Sequence, residues 1–207
     1  MPVNKITKGF TSFTDLIIET IFKLSSEQLH KLPIPTEAER LSVLAVGGYG
    51  REEMAPFSDI DLLFLTPYKI TPWAESVIES MLYILWDLKL QVGHATRSIK
   101  DCLSLGEKDF TIRTTLLEIR LISGDSLLVN ELENRLWNDL FQSSATEFTT
   151  AKLEERLLRH KKYGENRYLL EPNVKEGKGG LRDLQSLFWI AKYIHPVSYT
   201  HLRAHET

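Results

Sequence analysis

Cysteine is almost missing from this sequence: Cys102 is the only one among 207 residues. No disulfide framework can form within such a chain, which suits a reducing compartment, and a lone free cysteine is most often a small core residue. Long apolar runs are missing too. No stretch reaches the roughly 18 uninterrupted apolar residues that a membrane-spanning helix requires. The opening MPVNKITKGFTSFTDLIIETIF has no charged start followed by a long apolar run, so it does not read as a signal peptide. Nor is there an excess of charge. Lys and Arg number 25 against 28 Asp and Glu, a net charge of −3. A dedicated nucleic-acid binder usually carries a basic surplus, so this balance speaks against nucleic acid as a partner. Repeats of solenoid period and low-complexity tracts are also lacking. What remains is 43% apolar and 26% charged, the composition of a globular, cytoplasmic protein of one domain or one and a half.

Apolar residues fall at helical spacing from about 11 to 32, at Phe13, Leu16, Ile17, Ile21 and Leu24, and the prolines of LPIPTEAER stop that helix. Leu41 to Val46 is short, apolar and glycine-bounded, and reads as a strand. DIDLLFL reads as a second, with too long a loop between for a tight hairpin. Thr71 and Pro72 supply an N-cap and first-turn proline for a helix through TPWAESVIESMLYILWDLKL, after which LQVGHATRSI reads as a third strand. Beyond Lys100 the pattern is helical throughout: 109–123 stopped by Gly124, then 126–141, then 149–163. A glycine-bearing loop, GENRYLLEPNVKEGKGG, leads into 181–194. The expected fold class is α+β: a small mixed sheet with a crossing helix, followed by a truncated helical domain. The expected boundaries are an N-terminal helical segment at 1–40, the core at 41–125 and the helical domain at 126–196. The closing VSYTHLRAHET, 197–207, breaks the preceding apolar pattern and resembles the translation of a sequencing-library adapter. Set aside, it leaves an N-terminal fragment of a longer protein ending near Pro196. The helix at 181–194 is then expected to expose Leu184, Leu187, Phe188 and Ile194.

The chemistry gathers in LSVLAVGGYGREEMAPFSDIDLLFLT. Alternate residues of a strand share a face, roughly 7 Å apart, so Asp59 and Asp61 project together while Ile60 and Leu62 face the other layer. Two like charges side by side are costly unless a cation lies between them. Carboxylates with substrate phosphates are what Mg²⁺ prefers, and such ions can clamp the attacking and leaving oxygens of a nucleotidyl transfer. Gly47 and Gly48 let backbone approach a triphosphate, and Ser58 offers a hydroxyl. Arg51 could contact a phosphate, or stand as a solvated loop residue. Each feature alone is weak. A strand ending in Gly-Gly, ten residues, then an apolar strand opening with Asp-x-Asp is a specific combination. It resembles the nucleotidyltransferase superfamily related to DNA polymerase beta.

Further along, LWDLKLQVGHATRSI, TTLLEIRLISGD and LEPNVKEGKGGLRDLQSLFWIAKY follow in order. Together with the first motif they resemble the bifunctional uridylyltransferase/uridylyl-removing enzymes that modify the PII signalling protein. The resemblance implies UMP transfer from UTP to a tyrosine hydroxyl of PII with Mg²⁺, and Asp59 and Asp61 as the metal-holding catalytic pair. It also implies that the uridylyl-removing and ligand-sensing domains of that family lie outside this chain. The superfamily's usual third carboxylate, from the strand after the crossing helix, has no counterpart in LQVGHATRS. His94, Asp101 and Glu118 are the candidates, Glu118 being equally able to pair with Arg120 or Arg113.

In NVKEGKGGLRD, Gly179 and Gly180 precede a helix whose first N–H groups favour an anion, and Lys178 and Arg182, with Lys175, could meet the triphosphate; a solvated turn is the even alternative. Two rival functions stand beside PII uridylylation. One is transfer of another nucleotide to a small molecule. The other is a catalytically silent nucleotide-sensing or protein-docking module, to which the missing third carboxylate gives footing.

Overall fold

The computed structural model describes residues 3–163 and 173–195, and the chain divides into two units, Met1–Leu136 and Trp137–Thr207. In the first unit, helix α1 (Val3–Lys23) runs on through a π-turn, Leu24–Leu29. Its buried stripe is Thr14, Ile18, Ile21 and Phe22, whereas Phe13 and Leu16 of the expected stripe are exposed. The helix is apolar on more than one side. The stripe that docks carries Thr14, whose hydroxyl is satisfied within the helix by the Phe10 carbonyl at 3.0 Å.

The sheet holds β1 (Ser42–Ala45), β2 (Ile60–Thr66), β3 (Val92–Ser98) and β4 (Arg120–Gly124), in the order β3-β2-β1-β4. β1 pairs antiparallel with both β2 and β4, and β2 pairs parallel with β3. The parallel pair needs a crossover, which is α3 (Pro72–Asp87), started by Thr71 accepting from the Ala74 N–H at 3.2 Å. Ile60, Leu62 and Phe64 of β2 join Val43 and Ala45 of β1 in one core with α1 and α3. The alternate residues Leu63 and Leu65 face the opposite layer, where α6 (Ser126–Arg135) touches β1, β2 and β4. Cys102 lies fully buried on α4 (Ile99–Lys108), and burial pushes its thiol pKa up to about 12.

One expected element is corrected. Residues 109–123 are not one helix: α5 (Phe110–Leu117) ends at Glu118, and β4 follows at once as an edge strand. Local pattern favoured a helix, but pairing RLISG along β1 satisfies a row of β1 backbone groups that a helix would leave open.

In the second unit a π-turn, Leu136–Phe141, and a 3₁₀ turn, Gln142–Ser144, lead into α7 (Ala145–Tyr163), which packs with α8 (Leu181–Ile194). The Phe148 and Tyr193 rings stack at 4.0 Å, and the Tyr193 hydroxyl meets Ser144 Oγ at 2.7 Å. α8 buries Asp183, Gln185, Ser186, Trp189 and Tyr193, leaving Leu184, Leu187, Phe188 and Ile194 exposed as expected. The 197–207 tail lies outside the described residues. Among the described residues no helix is long and apolar enough to cross a membrane.

Candidate active site

The glycine pair forms no open loop. It opens a single helical turn, α2 (Gly47–Gly50), closed by Gly50 N–H to Val46 O at 3.0 Å and Arg51 N–H to Gly47 O at 3.1 Å. The turn rides on the end of β1, and Val46 N–H reaches Asp61 O at 3.1 Å, which fixes it beside β2. Gly47 sits at φ +59°, a left-handed conformation that glycine adopts without steric cost. A Cβ there would stand 3.5 Å from Asp61 Oδ2. On the other side Gly93, register partner of Asp61 on β3, would place a Cβ 2.7 Å from Asp61 Oδ1. The Asp61 carboxylate therefore owes its room to the missing side chain of Gly93, while Gly47 flanks it at ordinary contact distance.

Asp61 is half-buried and Asp59, one step before the strand, is exposed. Burial first, and then the charge of Asp59, raise the Asp61 pKa above its ordinary value. The two carboxylates thus sense each other, although Asp59 precedes β2 and is not placed by strand alternation. Such a pair is short of positive charge and fits a divalent cation held with phosphate oxygens.

The three candidates for a third carboxylate or ligand are otherwise engaged. Gly93, not His94, lies beside Asp61. The His94 ring stands in T-shaped arrangements with Phe64 and Trp86, at centroid distances of 6.5 and 6.4 Å. Asp101 closes a capping box with Ser98 at the start of α4, and those hydrogen bonds lower its pKa. Glu118 pairs with Arg51, a partner the sequence did not suggest. Arg120 binds Asp15 instead, and Arg113 donates to the Gly106 and Glu107 carbonyls. Among the described residues no group of three or more His, Cys, Asp or Glu side chains is placed to hold a metal.

Arg51 Nη1 donates to both carboxylate oxygens of Glu118 at 2.7 Å, and its Nε to Glu53 at 2.7 Å. Ser58 closes the turn before the aspartates: its Oγ accepts from Ala55 N–H at 3.1 Å, leaving its own O–H to donate. Ser58 also lines a mostly apolar cavity of about 410 Å³ with Phe10, Phe13, Met54, Ile60 and Leu90. Neither aspartate lines that cavity, which follows the Ile60 side of β2.

Lys178 and Arg182 belong to the second unit. Here one expectation is overturned. The first N–H groups of α8 are not offered to an anion: Leu181 and Arg182 donate to the Val174 and Lys175 carbonyls at 3.0 Å. Gly179 N–H goes to Asp183 Oδ2 at 2.9 Å. Arg182 bonds Gln185 at 3.1 Å and lies over the Trp189 ring, and Lys178 is exposed. The organiser of this loop is Asp183, which sequence reasoning missed. It takes Arg159 Nη2 at 2.6 Å and His160 Nε2 at 2.8 Å besides Gly179. Burial alone would raise its pKa, but these donors outweigh burial and hold it at about 2. The available signal was its place as the third residue of a helix entered through Gly-Gly.

Comparison with known proteins places these features in a lineage. Residues 147–206 match the model of the GlnD PII-uridylyltransferase family. A bifunctional uridylyltransferase/uridylyl-removing enzyme of Ruegeria pomeroyi is 62% identical over 195 residues, 94% of this chain and 21% of that protein. One of Cereibacter sphaeroides is 63% identical over 192 residues, 93% of this chain and 21% of the relative. One of Caulobacter vibrioides is 54% identical over 184 residues, 89% of this chain and 20% of the relative. The chain thus spans about a fifth of the length of these relatives. Over the part it spans, the chain is similar to the bifunctional uridylyltransferase/uridylyl-removing enzymes.

Proposed function

We propose that this chain carries the nucleotidyl-transfer site of a PII uridylyltransferase, moving UMP from UTP to a tyrosine hydroxyl of PII and releasing pyrophosphate. The observation that carries the reading is the Asp61 carboxylate, seated between the backbones of Gly47 and Gly93 with Asp59 at its side. Asp59 and Asp61 would hold Mg²⁺, which when bound would neutralise phosphate charge and favour the ionised phenol. Gly47 and Gly48 leave room for triphosphate oxygens at the turn, and the Ser58 hydroxyl donates to one of them. The tyrosine oxygen attacks the α-phosphorus as its proton passes to solvent water, and the bond from that phosphorus to the bridging oxygen of pyrophosphate breaks. The matched family's description supplies PII and the relatives' names supply a uridylyl group, UTP is the donor proposed for it, and the local geometry supports a phosphoryl-centred reaction without selecting the base.

Asp59→Asn and Asp61→Asn in the full-length protein are each expected to reduce UMP transfer to background with circular dichroism unchanged. Transfer retained in both variants refutes the assignment. A second reading, nucleotide binding without turnover, is favoured by one observation: the described residues offer no third carboxylate. Mg²⁺-dependent pyrophosphate release from UTP in the presence of PII separates the two.

A further inference from the structure

The turn that carries Gly47 and Gly48 is held from behind as well as in front. Gly50 lies flush against the junction between α5 and β4: a Cβ there would come 1.9 Å from the Glu118 carbonyl oxygen and 3.1 Å from that of Ala45. The Glu118 side chain then closes on Arg51, the residue that follows the turn. Both its oxygens take Nη1 at 2.7 Å, with the Glu118 side chain 3% and the Arg51 side chain 15% exposed. The same guanidinium borders Gly48, whose added Cβ would stand 3.7 Å from Nη2. Arg51 is anchored a second time by Glu53, and Glu53 N–H returns to Gly48 O at 3.0 Å. Glu118 in turn is fixed by β4, whose Arg120 pairs with Ala45 at the end of β1.

We propose that Glu118 is a positioning residue for nucleotidyl transfer. It uses Arg51 to lock the Gly47–Gly50 turn at its distance from Asp61, so that the triphosphate and the carboxylate pair meet in register. Arg51 on this account is the bolt of that lock and makes no essential contact to phosphate. A buried ion pair suits the task, because each partner is costly to leave alone and the arrangement admits few alternatives. The inference rests on the nucleotidyl-transfer reading and gives Arg51 a different role from the phosphate contact suggested by sequence.

The test is a double-mutant cycle of Glu118→Gln and Arg51→Gln in the full-length protein, with Arg51→Lys as the milder variant. Expected for Glu118→Gln is a rise of about tenfold in KM for UTP with kcat changed far less, since the lock sets binding geometry and takes no part in bond-making. The double variant is expected to lose no more than the worse single one, because both break one device. Multiplying losses, or Glu118→Gln within about twofold of wild type, overturns the proposal, the former assigning Arg51 a separate contact with phosphate. Manganese binding in the presence of UTP, followed by electron paramagnetic resonance, reads the same geometry without turnover. If the wild type transfers nothing, the transfer reading fails, yet the cycle on that binding constant still decides the lock. Should a variant fold poorly, amide exchange across 47–53 against that of β2 decides instead. Selective loosening of 47–53 supports the lock, and uniform loosening overturns it.

Discussion

At Asp61 the proposed function and stability pull in opposite directions. Its carboxyl is half out of water and next to Asp59, so its pKa in the folded protein lies above the ordinary 3.8. Ionising it therefore costs the folded state. The cost is absent below the unfolded value, grows as pH rises through the window between 3.8 and the raised value, and is complete above it. Asp61→Asn is accordingly expected to raise the melting temperature of the metal-free protein at pH 7, by on the order of 2 °C, and to lose that gain in strong acid. The same variant is expected to lose stabilisation by added Mg²⁺ and UTP. Scanning fluorimetry with and without those additions checks both, and a lowered melting temperature at pH 7 contradicts the account. Sequence disclosed this pair because Asp-x-Asp interrupts an apolar strand. It could not disclose Gly93, since an exposed glycine on an edge strand has meaning only once its register partner is known. Nor could it find the partner of Glu118, which lies across the sheet on a turn that reads locally as a solvated loop.

Among the elements, β4 carries the most consequence for its length. Gly124 ends it at φ +106°, where a Cβ would stand 2.3 Å from the Leu41 carbonyl and 2.8 Å from the Ser42 Cα. Both neighbours are backbone and neither can swing away. Gly124→Ala is expected to destabilise the first unit by about 2 kcal/mol or more, seen as a lower urea midpoint by circular dichroism. A midpoint like that of the wild type would mean that β4 docks in another way. Of the strands read from sequence, the third, in LQVGHATRSI, is mostly polar, whereas the first two announced themselves by apolar runs bounded by glycine or polar residues. β4 did not, because RLISG follows a helical run without a proline or glycine between, and only the free edge of β1 makes it a strand. The start of α8 failed in the other direction. Gly-Gly before a helix is compatible with an anion seat, but residues 174 and 175 fold back and occupy it with their own carbonyls.

Across the whole molecule, the α+β class and mixed sheet were legible because the hydrophobic period switches between two and 3.6 along the chain. The two units also differ in what acid does to them. In the second, Asp183 is held at about 2 against an ordinary 3.8, so its contribution is complete above the unfolded value and disappears as pH falls through that window. The contribution is about 2 kcal/mol. Asp183→Asn is expected to weaken the second unit at pH 7 by a similar amount and to remove its acid step, with Trp137 and Trp189 fluorescence as the reporter. An unchanged acid midpoint in the variant would show that other groups govern that transition.

The burial of Cys102 has a practical consequence. With its sulfur enclosed on α4 and its thiol pKa at about 12, the native first unit presents no thiolate to an alkylating reagent. Each molecule modified under excess iodoacetamide must first have opened, so the growth of a single adduct in the mass spectrum counts excursions from the native state. Mg²⁺ and UTP should slow that growth if they grip the unit to which α4 belongs, giving a measure of occupancy that needs neither PII nor catalysis.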